Sequence, residues 1–395
     1  MAGTKQASRW TRMCAAMLFA SLLHCGGALA QSSATPHLYW AYIGNTTRDG
    51  IGLFKLDTDT GKLTNEGIAA PANSPGFLTI TPDQKHLYAG VTMSPNVAGI
   101  EAFSIDAKTG KLAAINTEKS GGDEAAYVSV DPQNKNVLAA HWGESGPTVV
   151  SVLPIGDGGK VLPPTSILTQ TGKGRLPQQP HAHPHFINTD YTGRYAFACD
   201  YGADKVFFYK LDSSKGLLTA NDPPSISMPP GSAPRQIAFH PNNKWVYLLN
   251  ELGGTVAALS YDPAKGTLSQ IEIVSAMKEG FTGKNRSAAV QVHPSGKFLY
   301  ASNRDDTNFV TVFSIDPTTG KLEIIDYTPT LGHTPRDFRI DPTGKFMLLG
   351  NQDSRPDAAS NLVLFKIDQQ SGKLTKVGDP IPFGSPICVK FVAAE

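Results

Sequence analysis

A histidine, several arginines and a glutamate stand at matched places in a family of short segments of this chain. Six segments read FLTITPDQKHLYAG, YVSVDPQNKNVLAA, HFINTDYTGRYAFACD, QIAFHPNNKWVYLLN, AVQVHPSGKFLYASN and DFRIDPTGKFMLLGN. Five residues before the Asp, His or Thr of each central turn lie Gly76, Ala126, His185, Arg235, Ala288 and Arg336. At the far ends stand Asp200, Glu251, Arg304 and Gln352, with Asn250, Asn303 and Asn351 beside the last three. A neutral imidazole can take a proton from water. Guanidinium forks hold carboxylates, phosphates and developing oxyanions. A set of His, Glu and several Arg around one opening is more than packing needs.

The run Pro180-His181-Ala182-His183-Pro184-His185 places three imidazoles at alternate positions, which share one side of a strand. Imidazole suits zinc or copper, but no carboxylate or Cys cluster accompanies the run. Hydrogen-bonded or catalytic imidazole is therefore the preferred reading, and no metal is expected. Two long connections, Gln170 to Gln179 and Ser275 to Arg286, carry Lys173, Arg175, Lys278, Lys284 and Arg286 and are candidate lids. G-x-S-x-G, H-E-x-x-H, Walker and Rossmann patterns are missing, so no nucleotide or other cofactor is expected.

The elements that must position these groups follow from repetition. Each of the six segments is a strand, a polar turn and a second strand, a hairpin signature. Between them recurs another hairpin around Gly-Lys-Leu or a near variant, as in FKLDTDTGKL (Phe54 to Leu63), FSIDPTTGKL (Phe313 to Leu322) and FKIDQQSGKL (Phe365 to Leu374). Seven copies occur, one of them the degraded SVLPIGDGGKV (Ser151 to Val161). A period near fifty residues with four strands per unit predicts an all-β, seven-bladed propeller of four-stranded antiparallel blades. With strands A and B in the first hairpin and C and D in the second, only six A–B pairs are complete. His37 to Tyr42 is a B strand lacking its A, and Ile387 to Val392 an A strand lacking its B; pairing them would close the ring and hide its edges. Alternating strand direction then puts A-strand starts, B-strand ends and the long connections at one mouth of the central channel.

Residues 1–30 read as a signal peptide, with Lys5, Arg9 and Arg12, the apolar run Met13 to Leu23, and Ala28-Leu29-Ala30 as cleavage site. A lipoprotein reading through Cys25 fits less well. The propeller is expected over 31–395, in the periplasm or outside the cell, with no membrane span. Losing three of the 35 basic residues against 34 acidic ones leaves 32 minus 34, a formal charge of −2. That balance argues against nucleic-acid binding. Charged residues form 17% of the chain, below the roughly 25% of ordinary domains, which suits short strands and tight turns. Cys199 and Cys388, on strands of different repeats, are expected to be buried thiols. The expected unit is a monomer.

The blocks PHAHPHF, APRQIAFHPNNKWVYLLNEL, AVQVHPSGKFLYASNR, TPRDFRIDPTGKF and PICVKF resemble the lactonase-type seven-bladed propellers, which include propeller-type 6-phosphogluconolactonases and fungal carboxymuconate lactonizing enzymes. The likeness spans residues 31–395 and implies a metal-independent hydrolase taking a small anionic lactone or carboxylate. By that resemblance the catalytic His, Arg, Glu and second Arg fall on His185, Arg235, Glu251 and Arg304, with Arg336 an alternative for the last. His183 could hold the role of His185. Substrate contacts are expected from His183, Arg336, Asn303 and Gln352. In this reading His185, assisted by Glu251, is the general base and the arginines stabilise the oxyanion. A muconate-type cycloisomerase and a non-catalytic exported propeller that binds an anion or partner protein are the alternatives.

Overall fold

Strand B of each repeat is apolar at nearly every position, the pattern of a strand covered on both faces. In the computed structural model, which describes residues 36–47, 50–144, 146–353 and 360–395, Tyr195–Asp200, Trp245–Asn250, Phe298–Asn303 and Phe346–Asn351 are buried along their whole length. The expected leader, residues 1–30, lies outside the described residues. The outermost strands are the opposite: Lys62–Ala70 is mostly exposed and polar. Bulges interrupt the pairing of strands C and D in blades such as the one holding Thr255–Asp262 and Thr267–Ser275, which twists the free edge away from further pairing.

Seven four-stranded antiparallel sheets result. Six are formed by consecutive strands, and the seventh joins the two ends of the chain: Pro386–Ala393 pairs with Leu38–Asn45, Tyr42 opposite Lys390. The one departure from the repeat is the degraded copy. After Val149–Pro154 the chain makes a short 3₁₀ turn, Asp157–Gly159, and an isolated bridge between Ile155 and Val161. Its outer strand starts only at Ser166 and runs to Thr169.

Blades are joined through their interfaces. Trp245, Tyr247 and Leu249 of one B strand pack with Leu299, Phe313 and Leu322 of the next blade. The recurrent Gly-Lys-Leu turn proves to be a clasp between blades as well as a connector. Gly320 has φ +73, and a Cβ there would lie 2.7 Å from the ring of Trp245, so only glycine meets both the backbone and the packing requirement. Its carbonyl accepts the Tyr247 hydroxyl at 2.9 Å. The same bond links Tyr42 to Gly110, Tyr88 to Gly159 and Tyr300 to Gly372, all buried.

Tyr247→Phe keeps the ring and leaves a buried carbonyl without its donor. It is expected to lower stability by about 1–3 kcal/mol, read from the urea unfolding midpoint, with the far-UV spectrum unchanged.

Candidate active site

The A strands enter the central channel at one end, and their first residues form a wall there. Gly76, Ala126, His185, Arg235 and Arg336 line a cavity of about 420 Å³. The two small residues leave room on one side, and the long polar ones reach in from the other. Ala288, the sixth position of this register, contributes its carbonyl oxygen, which accepts a hydrogen bond from Nη1 of Arg235.

Glu251 follows the end of Trp245–Asn250, and its two oxygens serve two guanidinium groups. Oε2 accepts from Nε of Arg235 at 2.7 Å, and Oε1 from Nη2 of Arg304, in the next blade, at 2.7 Å. Nε of Arg304 donates to the Arg286 carbonyl at 3.0 Å, and Arg286 pairs with Asp305. Arg235, Glu251 and Arg304 are 5%, 6% and 2% exposed. Burial alone would raise the Glu251 carboxyl, but Arg304, Arg235 and Arg336 outweigh it and hold it below its ordinary value. Burial, with Arg336 and Arg304 nearby, brings Arg235 down to about 9. Glu251 therefore braces the arginines. Among the described residues no hydrogen bond joins Glu251 to His185; its two oxygens go to Arg235 and Arg304.

Arg336 is different. Its guanidinium has no hydrogen-bond or ion-pair partner among the described residues, and it lines the cavity. Burial and the charge of Arg304 lower it to about 10, where it is still cationic at neutral pH. His185 lies in the same wall and touches Trp142 edge to face, ring centroids 5.5 Å apart. Burial, then the charges of Arg235 and Arg336, push it well below 6.5, so its imidazole is neutral over the physiological range.

The other expected residues are placed elsewhere. His183 stacks on Trp142 at 4.4 Å, its Nδ1 2.8 Å from the Trp142 carbonyl, outside the cavity lining. Asn303 accepts from Ser287 and donates to Ala301 and Thr311, all within its own blade, so it stiffens the blade and does not face the cavity. Gln352 is half-buried and also outside the lining, its backbone bonded to Thr334 and Ser360. Asp200 accepts the amides of His183 and Ala203 and is pushed up to about 6, chiefly by burial. Of the connection charges, Lys278 sits over the rings of Phe309 and Tyr327. Among the described residues, no three His, Cys, Asp or Glu side chains gather as a metal site.

Four acidic residues of the cavity escaped the sequence reading: Asp123, Glu124, Glu144 and Asp337. Asp123 takes the amides of Glu124 and Gly143, and Glu144 takes the Trp142 indole N–H at 2.9 Å. The Glu124 carboxylate accepts no hydrogen bond among the described residues. The residue is exposed at the cavity rim; partial loss of water raises its carboxyl, Arg336 opposes, and Asp123 and Glu144 raise it further. Glu124 precedes strand Ala125–Val130, whose pairing is bulged between Ala125 and Tyr127, so the repeat register does not reach it.

Tyr127 packs between Phe77 (centroids 4.1 Å apart, planes at 34°) and Phe186 (4.4 Å, 51°). Beyond it a second cavity, about 720 Å³, opens at the A–B turn end, with Tyr127 and Gln236 common to both walls.

The family model for Lactonase, 7-bladed beta-propeller, matches residues 40–391. A 6-phosphogluconolactonase of Bacillus subtilis is 34% identical over 90% of this chain and 98% of its own. Among solved structures, a putative 6-phosphogluconolactonase from Bacteroides fragilis superimposes with a TM-score of 0.83 at 31% identity, covering 91% of this chain and 99% of its own. The periplasmic gluconolactonase of Pseudomonas aeruginosa gives 0.85 at 29% identity, covering 91% and 100%.

Glu251→Gln would leave two buried guanidinium groups facing each other with their one shared counter-charge removed. The expected loss is about 3–5 kcal/mol. The folded-state carboxyl is depressed, so its contribution is present in full above 4.5, its ordinary value, and fades as pH falls through the lower folded value. Unfolding free energies measured from pH 7 down to pH 3 should show this acid-dependent component in the parent and its absence in Glu251→Gln.

Proposed function

This chain belongs to the seven-bladed lactonase propeller family, and from that premise we propose that it hydrolyses a sugar-acid lactone in the cavity at the A-strand mouth. One observation carries the reading: a neutral imidazole and an unpaired guanidinium, His185 and Arg336, face the same enclosed space. His185 takes a proton from a water molecule as that water attacks the lactone carbonyl carbon. The carbonyl oxygen gains negative charge, which Arg336 stabilises by hydrogen bonding and charge. As the tetrahedral intermediate collapses, the ring C–O bond breaks, and the imidazolium returns its proton to the departing alkoxide oxygen. Lactone and water become one hydroxy acid, with no covalent intermediate on the protein.

The positive charges that depress His185 lower its basicity, but they also keep it free of a proton in mild acid. They favour release of the proton to the leaving oxygen too, so one imidazole serves both steps. Arg235 and Arg304, held by Glu251, fix the wall and supply positive potential. The leader pattern and the periplasmic relative support export of this enzyme.

His185→Gln is expected to reduce kcat on glucono-1,5-lactone by about 10²–10⁴-fold while the unfolding midpoint stays near that of the parent. The acid limb of kcat/KM should lie well below pH 6.5 and move up toward it in Arg336→Met, alongside a drop in rate. Unchanged turnover in both variants would remove these roles. Turnover of muconates in place of lactones would assign the site to cyclisation.

A further inference from the structure

The cavity is not the wide cationic bowl that a phosphate ester would need. Arg235 and Arg304 are tied to Glu251, and Arg286 to Asp305. Lysine is missing from the lining, so among the described residues Arg336 is the one cation of the cavity without a protein partner. Of the four acidic residues in the lining, Asp337 accepts the Val389 amide at 3.0 Å. Glu124 feels the charge of Arg336, and Asp123 and Glu144 stand beside Glu124. These three come from the segment leading into strand Ala125–Val130 and the segment after Asn136–His141.

Building on the hydrolase reading, we infer that this acidic wall selects an uncharged polyhydroxy lactone and disfavours its phosphorylated counterpart. The argument is one of stoichiometry. Lactone hydrolysis needs a cation at the carbonyl oxygen, and Arg336 is the group available. A phosphate ester would bring two further negative charges that need cations of their own. If the phosphate took Arg336, the oxyanion would lose its partner. If Arg336 stayed with the carbonyl, the phosphate would be left among three carboxylates, where like charges repel.

A neutral sugar lactone has neither problem. Its hydroxyl groups are donors, and carboxylates are acceptors with several lone pairs each. Glu124, whose oxygens accept nothing from the described residues, and the remaining oxygen of Glu144 are placed to take them. Such acceptors contribute to binding only when a donor is present, and this is how a polar pocket discriminates between related substrates.

The test compares kcat/KM for glucono-1,5-lactone and for its 6-phosphate, in the parent and in Glu124→Gln/Glu144→Gln. The parent is expected to favour the unphosphorylated lactone at least tenfold. The double variant should lower that ratio at least tenfold, losing on the neutral lactone and gaining on the phosphorylated one. Calorimetric binding of gluconate and 6-phosphogluconate gives the same comparison without turnover. A parent that prefers the phosphorylated lactone or treats both alike, or a folded variant with an unchanged ratio, overturns the inference. If neither lactone is hydrolysed, the hydrolase reading fails, and the calorimetric preference alone decides whether the wall discriminates by charge.

Discussion

Four arginines are gathered near one mouth of this propeller, and a single carboxylate decides what each can do. Glu251 has two oxygens, and each holds one guanidinium in a nearly dry setting where an isolated charge would be very costly. Because Arg235 and Arg304 belong to adjacent blades, the bridge also ties those blades together at the channel. Arg286 finds its own partner in Asp305, nearer the surface. Arg336 remains, close enough to feel the others and bonded to none. Burial first, then the charges of Arg235 and Arg336, hold the neighbouring imidazole neutral; the unpaired arginine is also free to meet a ligand. Structure and reactivity are divided among chemically identical side chains by the count of available carboxylate oxygens.

The architecture was legible in the amino-acid sequence because each level repeats. Aspartate and glycine at fixed offsets mark the turns, and fully apolar B strands mark burial on both faces. The unpaired strands at the two ends announce the closure of the ring. The register of A-strand starts was legible for the same reason: alternation dictates which residue enters the channel. Gly76, Ala126, His185, Arg235 and Arg336 all meet in one wall.

Partnership was legible only within one hairpin, where Arg235 at the start of A and Glu251 after the end of B are neighbours and pair. Nothing in the spacing says that Glu251 reaches toward Arg304, 53 residues away, and leaves His185 alone. Asn303 looked like a ligand group because it is polar at a channel position, yet its amide is consumed by Ser287, Ala301 and Thr311. Glu124 was overlooked because it precedes the regular strand, where a repeat-based register no longer applies. The degraded turn hid its outer strand for a similar reason: an inserted excursion shifts the offset by several residues. Local pattern reports backbone and burial; hydrogen-bond allegiance depends on side-chain reach across blades, which has no sequence period.

The aromatic group of Phe77, Tyr127 and Phe186 has a consequence of its own. Its central ring belongs to the walls of both cavities and so stands between them. On the hydrolase reading proposed above, an acid held at Arg336 fills the same cavity that the next lactone must enter, so its departure becomes a step in its own right.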